Sequence, residues 1–541
     1  MLISLLLSSL SALEISPILR GGVLQEGVPV AAWGSGAAPH ASVSVSTVAA
    51  ADGHALRPSV SVEATADANG NWSATLPPHR RAWAVTLVAK SGGATAQTNV
   101  SFGLVVMCAG QSNMDMPVDC HLRNRTMCYT PKLAFHADNG TAEVAASGRY
   151  TGKIWHMKAV QSKYHQPPRW LPASPATLAP ISAVCWYTGK SLFERMGGDT
   201  PVGLMQASVG GSPIEYWLPP SGTVDRNACE SDVPQCDNQY DDSFFFSDIV
   251  SQLVPHTFGA LVWDQAERDV KCPVSTASYA CMQRLLATSW REAFGSPAAA
   301  FVAVQLPGYT AALANGTGVY PGYITGEMVQ AMRLQQAAGA ARTPNATFVP
   351  TYDLSDPSSP YGSVHNPEKG PIGARLAAQL VKALRLVPGA DEMVVQGPRA
   401  TSVRAAPASA AGGPAAAPAA PVGQMVVEGR DDATPAGFEV TVAFAGGHAP
   451  FVRRGTKNCT TCCDEPARTH TLDFDARAGE TGAWVNATRT TLDATTGAVR
   501  FHVALDAKPT TVRYTAASIF PQCALYNAEG LPALPFSMAV E

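Results

Sequence analysis

The chain has 541 residues, 46% of them apolar and only 15% charged. That is a globular composition and excludes extended disorder; at roughly 100–200 residues per domain it calls for about two to four domains. The formal net charge of -4 supplies no field for nucleic acid, so an acidic ligand would have to be met by local Arg or Lys.

In chain order, residues 2–10 form an apolar run too short to span a bilayer, and it ends in the small residues Ser11 and Ala12. Residues 1–13 therefore read as a signal peptide; the competing reading is a buried first strand. No later stretch is long and apolar enough for a transmembrane helix. The 12 Cys are an even number, as in disulfide-bonded secreted proteins. Cys120 and Cys128, Cys229 and Cys236, and Cys272 and Cys281 are close enough in sequence to close short loops. Cys459, Cys462 and Cys463 form a C-x-x-C-C run, but no second ligand pair accompanies it, so zinc is not expected. Eight Asn-x-Ser/Thr sequons (Asn71, Asn99, Asn124, Asn139, Asn315, Asn345, Asn458, Asn486) also point to the secretory pathway.

Residues 14–104 read as an N-terminal β domain. Short alternating runs (41–47, ASVSVST; 82–88, AWAVTLV) are separated by Gly and Pro turns, and 69–76 opens with Asn-Gly. From residue 105 to about 390 the pattern changes. Apolar strand-like runs at 104–107, 201–208, 259–265, 298–306 and 346–354 alternate with helix-like patterns at 182–195, 281–294, 325–336 and 373–384. That alternation predicts an α/β fold, a parallel sheet with helices on both faces. Residues 398–423, rich in Ala, Pro and Gly, read as a linker. Residues 424–541 return to β patterning (MVVEG, FEVTVAF, VRFHVAL, TVRYTA), so a second sandwich-like domain is expected there.

Four polar blocks fall at the ends of the predicted central strands, where ligands bind open α/β sheets. The first, Gly110-Gln111-Ser112-Asn113-Met114, offers a nucleophile; a lone Ser in such a turn is as readily an N-cap. The second, Ser208-Val209-Gly210-Gly211-Ser212, offers backbone N–H groups to a developing oxyanion. The third, Trp263-Asp264-Gln265-Ala266-Glu267, offers the Gln265 amide as a further donor. The fourth, Tyr361-Gly362-Ser363-Val364-His365-Asn366-Pro367, offers His365 as general base. Alone, the second and third blocks read better as ordinary turns, and His365 as a structural histidine. Together they supply nucleophile, oxyanion donors and base for acyl transfer. A G-x-S-x-G elbow is absent, which argues against the α/β-hydrolase version.

The strings CAGQSNMDM (108–116), SAVCWYTGKSL (182–192), GGSPIEYW (210–217), LVWDQAE (261–267), SWREAF (289–294), SPYGSVHNPEKG (359–370) and CALYNAEGLPALPF (523–536) resemble the sialate O-acetylesterase family of the SGNH-hydrolase superfamily, and VLQEGVPVAAWG (23–34) fits it too. The resemblance covers nearly the whole chain. It implies an SGNH-like central domain flanked by β domains and hydrolysis of O-acetyl esters, typically at position 9 of sialic acids, with no metal or organic cofactor. By resemblance Ser112 is the nucleophile, His365 the base, and Gly210 or Gly211 with Gln265 the oxyanion donors. Three departures stand out. Ala266 replaces the Gly of the family's Gly-Glu-Ser-Asn, with Arg268-Asp269 in place of Ser-Asn, which bears on the loop's backbone angle. Ser363 and Gly362 occupy positions where relatives carry an Asp, so either Asp353 or Asp356 orients His365 or the site is a Ser–His dyad. Asn366 stands before Pro367, a one-residue insertion.

The expected partner is an acetylated sugar or glycan, and the expected location extracellular or lysosomal. The sequence leaves two other readings open: an acetylxylan or other polysaccharide acetylesterase, and a secreted carbohydrate-binding protein with a weakened esterase site. Arg333, on a predicted helix between the third and fourth blocks, is a candidate for reading the glycan, with a plain surface Arg as the alternative.

Overall fold

The computed structural model describes residues 12–48, 60–120, 136–220, 229, 240–310, 323–408, 436–457 and 472–541. The expected signal peptide therefore lies almost wholly outside the described residues, as do the strand expected around MVVEG, the C-x-x-C-C run, and Cys128 and Cys236. Contacts divide the chain into two compact units. The first comprises Met1–Arg226, Tyr240–Trp263 and Leu285–Phe301; the second comprises Asn227–Gln239, Asp264–Arg284 and Val302–Glu541.

The first unit begins all-β: β1 (Glu14–Ile15), β2 (Val23–Gln25), β3 (Val30–Ser35), β4 (Ser42–Val48), β5 (Ser61–Thr65), β6 (Trp72–Leu76), β7 (Ala82–Ser91) and β8 (Ala94–Gly110). Three of these strands form a sheet in the order β1-β3-β6, while β5, β4, β7 and β8 pair in succession. Their inward side chains, among them Trp72, Leu87 and Phe102, make one apolar core.

β8 leaves this β region without a break. Its early residues alternate between exposed and part-buried, and from Val100 onward every residue is buried. Its partners change over the same stretch. Ala94–Phe102 pairs antiparallel with β7, and Leu104–Gly110 pairs parallel with β11 (Val202–Ser208). Alternation is what a sheet with one solvated face requires, and a continuous apolar run is what a parallel strand covered on both faces requires. The boundary expected at residue 104 is thus a change of neighbours within one strand.

After β8 come α1 (Ser112–Asp115), α2 (Gly140–Ala146), β9 (Ile154–Ala159), β10 (Leu171–Pro172), α3 (Ala183–Arg195), β11, α4 (Phe244–Asp248), β12 (Ala260–Asp264), α5 (Pro273–Ala293) and β13 (Ala300–Val304). The strand order here is β10-β9-β11-β8-β12-β13. β9, β11 and β8 run parallel, but β10 is antiparallel to β9, so the sheet is mixed and not purely parallel as expected. β9 itself was not legible in the sequence. α3 starts at Ser182, whose hydroxyl accepts from Cys185 N at 3.1 Å. A disulfide joins Cys185 to Cys108 of β8, directly before the Ser112 turn.

In the second unit, α6 (Gly326–Ala341) and α7 (Gly370–Ala383) pack on β14 (Ala346–Val349). The β strands that follow are β15 (Arg399–Pro407), β16 (Phe438–Ala445), β17 (Val452–Gly455), β18 (Phe474–Arg477), β19 (Val485–Asn486), β20 (Thr488–Leu492), β21 (Val499–Val503), β22 (Thr511–Tyr514), β23 (Cys523–Tyr526) and β24 (Phe536–Ala539). They form four-stranded sheets in the orders β15-β16-β21-β20 and β19-β18-β22-β24, plus a β17-β23 ribbon. Phe474 of one sheet stacks on Phe501 of the other at 4.8 Å, within a shared core. Arg399–Pro407 corrects the expected linker: nine of its residues form a strand paired with β16. Val403 is buried in that strand, which gives the segment an apolar anchor that its Ala and Pro content hides. Residues 409–423 of the same stretch lie outside the described residues.

Two of the three expected disulfide pairs are also corrected. Cys229 bonds Cys281, 52 residues away, and neither short loop, Cys229 to Cys236 or Cys272 to Cys281, is the one closed. Cys281 lies within α5. Among the described residues no helix is long and apolar enough to cross a membrane. Non-reducing peptide mapping is expected to recover the Cys229 peptide linked to the Cys281 peptide; recovery of Cys272 linked to Cys281 would contradict the fold.

Candidate functional site

Ser112 and the Gly210–Gly211 pair sit side by side in the first unit. Register places Gly110 opposite Ser208 on parallel strands, and Val209 N donates to Gly110 O at 3.1 Å. Both chains then leave the sheet in turns. Ser112 opens the four-residue α1 and is half-buried, between the buried Gln111 and Asn113. Gly110 has φ 147° and Gly211 φ 74°, conformations that a Cβ disfavours, so both glycines are required by the backbone.

A buried polar network ties these turns together. Asp115 Oδ1 accepts from Ser208 Oγ at 2.8 Å and from Lys158 Nζ at 2.9 Å. Gln206 Nε2 donates to Ser208 Oγ at 2.8 Å, and Gln206 Oε1 accepts from Ser182 N at 2.9 Å. The end of α1 is therefore fixed to β9, β11 and the start of α3. Sequence reasoning missed Asp115, although it lies inside the same string as Ser112. Beneath the glycine turn, Trp217 and Trp290 both pack edge-on against Trp263. Trp290 Nε1 donates to Trp217 O at 2.9 Å. Three separate sequence strings thus meet in one aromatic cluster.

The second unit holds Gln265 and His365. Gln265 is buried; its Nε2 donates to Asp269 Oδ2, and its Oε1 accepts from Tyr279 OH at 2.8 Å. One amide hydrogen is therefore committed within the loop. The next residue, Ala266, has φ 143° and is fully buried. The loop keeps a backbone conformation natural to Gly although Ala occupies it, which stores strain of order 1–3 kcal/mol.

His365 lies in a turn closed by His365 N donating to Gly362 O at 2.9 Å. Its Nδ1 faces Tyr361 O at 3.1 Å. A carbonyl only accepts, so Nδ1 carries the proton and Nε2 keeps the lone pair. Burial holds the imidazole pKa below 6.5; the Tyr361 bond opposes this and the Lys369 charge adds to it. The ring is thus neutral at pH 7. Neither expected acid is what orients this nitrogen. Asp353 is engaged by Arg375 through both carboxylate oxygens and by Tyr526 OH at 3.1 Å. Asp356 accepts from Ser358 and lies 3.4 Å from Lys457 Nζ. Both are tied up because Arg375, Tyr526 and Lys457 are brought to them from distant parts of the sequence. Beside the Gln265 loop, burial and then the Glu267 carboxylate push the Asp264 carboxyl up, while the Lys369 ammonium pulls it back.

Arg333 is not a glycan reader. It is fully buried, donating to Leu306 O at 2.8 Å and Thr515 O at 3.2 Å, with its guanidinium over the Tyr352 ring. Among the described residues no group of His, Cys, Asp and Glu is arranged to hold a metal.

The α/β sheet of the first unit thus carries a half-buried Ser and a glycine turn at adjacent strand ends. Residues 103–382, more than half of the chain, match the family described as carbohydrate esterase, sialic acid-specific acetylesterase; the chain belongs to that family. Sialate O-acetylesterase of Rattus norvegicus is 25% identical over 354 residues, 56% of this chain and 59% of that protein. The Homo sapiens sialate O-acetylesterase is 26% identical over 329 residues, 56% of each chain. The chain thus spans under two thirds of the curated relatives' length. A crystal structure of a carbohydrate acetylesterase from Xanthomonas citri shares the fold, with TM-score 0.67 and 21% identity over 97% of this chain and 99% of that one.

An ordinary buried Ala→Gly substitution costs about 1 kcal/mol. Ala266→Gly is expected to be neutral or stabilising in denaturant unfolding, because strain relief offsets that cost. A loss of 1 kcal/mol or more would show that the positive φ carries no strain.

Proposed function

We propose that the protein is a serine esterase that removes acetyl groups from sugars, with O-acetylated sialic acids as the preferred class. The observation that carries this reading is the family match over residues 103–382, which takes in all four polar blocks. In this reading Ser112 Oγ attacks the ester carbonyl while His365 Nε2 takes its proton. The N–H groups of Gly210 and Gly211, with the Gln265 amide, hold the oxyanion. The carbonyl carbon gains the Ser112 oxygen and loses the sugar oxygen, which leaves with the proton from His365. Water, deprotonated by the same imidazole, then releases acetate and restores Ser112.

The third member of the constellation is the Tyr361 carbonyl and not a carboxylate, which makes the site a Ser–His dyad steadied by backbone. A carbonyl fixes the tautomer as an Asp would, yet adds no full negative charge beside the ring, so His365 keeps a low pKa. The glycine-like backbone at Ala266 argues against the reading of a decayed, purely carbohydrate-binding protein.

We further place the protein in the secretory pathway, extracellular or lysosomal. The Cys108–Cys185 and Cys229–Cys281 disulfides support this, as do the exposed sequon residues Asn71, Asn99, Asn139 and Asn486.

The test is acetate release from 9-O-acetyl sialic acid and from acetylated xylan. Activity is expected on the first, with at least a roughly thousandfold loss in Ser112→Ala. Preference for xylan would transfer the reading to a polysaccharide acetylesterase, and full activity of Ser112→Ala would overturn the mechanism. The base works only when neutral, so kcat/KM should fall as pH drops through the folded-state pKa of His365. That places the midpoint below 6.5; a midpoint above 6.5 would contradict the burial argument.

A further inference from the structure

On the edge of the sheet in the first unit, a cavity of about 320 Å³ opens beside β9. That is at the lower end of the roughly 300–1,000 Å³ typical of small-molecule sites. His156, Lys158, His165 and Arg169 line it together with apolar Leu171 and Ile181, and no carboxylate does. His156 and Lys158 are two residues apart on β9 and therefore share a face. Register aligns His156 with Leu204 and Lys158 with Gln206 on β11. Gln206 meets Ser182 at the start of α3, so the cavity opens on the α3 side of the sheet.

The basic side chains differ in what they have left to offer. Lys158 is already paired with Asp115 at 2.9 Å. Arg169 is exposed and has no hydrogen bond or ion pair among the described residues. His156 is 1% exposed, yet neither ring nitrogen has a hydrogen-bond partner. Burying two unsatisfied ring nitrogens carries a free-energy cost that proteins rarely leave uncompensated. A ligand hydroxyl in the cavity would satisfy one of them. Desolvation draws the His156 pKa down to about 4, so the ring offers one donor and one acceptor and no charge.

We infer that this cavity is the subsite that recognises the carboxylate-bearing end of an acidic sugar, with Arg169 pairing with the carboxylate and His156 bonding a sugar hydroxyl. A guanidinium matches a planar carboxylate through two parallel N–H donors. The inference rests on the sugar-esterase reading for its placement. β9 is separated from β8 by β11 alone, so at 4.7–4.9 Å per strand the cavity lies about 10 Å across the sheet from the Ser112 strand. A nine-carbon acidic sugar carries its carboxylate and its exocyclic chain on the two carbons that flank the ring oxygen, and an ester at the far end of the extended chain lies at a separation of the same order from the carboxylate.

The experiment is calorimetric binding of N-acetylneuraminic acid and of its neutral methyl ester to the full chain and to Arg169→Gln, an exposed substitution that leaves folding intact. The free acid should bind the wild type, and Arg169→Gln should weaken it about tenfold or more, with a change of less than about twofold for the methyl ester. The KM for 9-O-acetyl sialic acid should rise in parallel. No binding of the acid to the wild type, or equal binding by Arg169→Gln, overturns the subsite. If the acid binds and the variant weakens it while the wild type releases no acetate, the subsite stands and the esterase reading fails.

Discussion

The parallel pairing of β8 with β11 is the constraint on which the first unit depends. It sets Gly110 opposite Ser208 and so fixes where two chains leave the sheet together. A shift of one residue would exchange the two faces of β8, and because both are buried it is the close packing of each side chain that selects the register. Asp115 then converts register into position: its carboxylate collects Ser208 and Lys158, anchoring the turn that begins with Ser112. The Cys108–Cys185 bond holds α3 to the same strand two residues before Gly110.

The second unit solves a different problem. There the His365 ring is oriented and its pKa lowered, and Asp353 and Asp356 are engaged elsewhere. The Tyr361 carbonyl fixes the tautomer and burial lowers the pKa. Asp353 is kept for architecture, where it neutralises Arg375 and receives Tyr526 from the terminal β region. Buried in that way, its pair is expensive to break on one side only. The Gln265 loop accepts a strained Ala266 in the same unit. Strain of this kind persists where surrounding contacts over-determine the backbone, and Tyr279 and Gln336 both donate to Gln265 O at 3.2 Å.

Much of this was legible in local patterns. The apolar runs at 104–107, 201–208 and 259–265 predicted strands, and polar residues at their ends predicted a site there. The β region after residue 424 was visible in its alternating runs. What stayed hidden depends on partners far apart in sequence. β15 hides in an Ala- and Pro-rich stretch because its strand character comes from pairing with β16. The bond between Cys229 and Cys281 spans 52 residues and cannot be read from spacing. Asp353 and Asp356 looked available to His365 because proximity in sequence gives no sign of Arg375 or Lys457. Arg333 looked like a surface or glycan-binding Arg because backbone carbonyls that bury it, such as Thr515 O, come from another element.

The central claim is that Ser112 is a nucleophile activated by His365. Labelling with a fluorophosphonate, followed by peptide mapping, tests it most directly. The account predicts modification at Ser112 alone, slowed by orders of magnitude when His365 is replaced by Ala; a label on another serine, or one on Ser112 formed equally fast without His365, would contradict it.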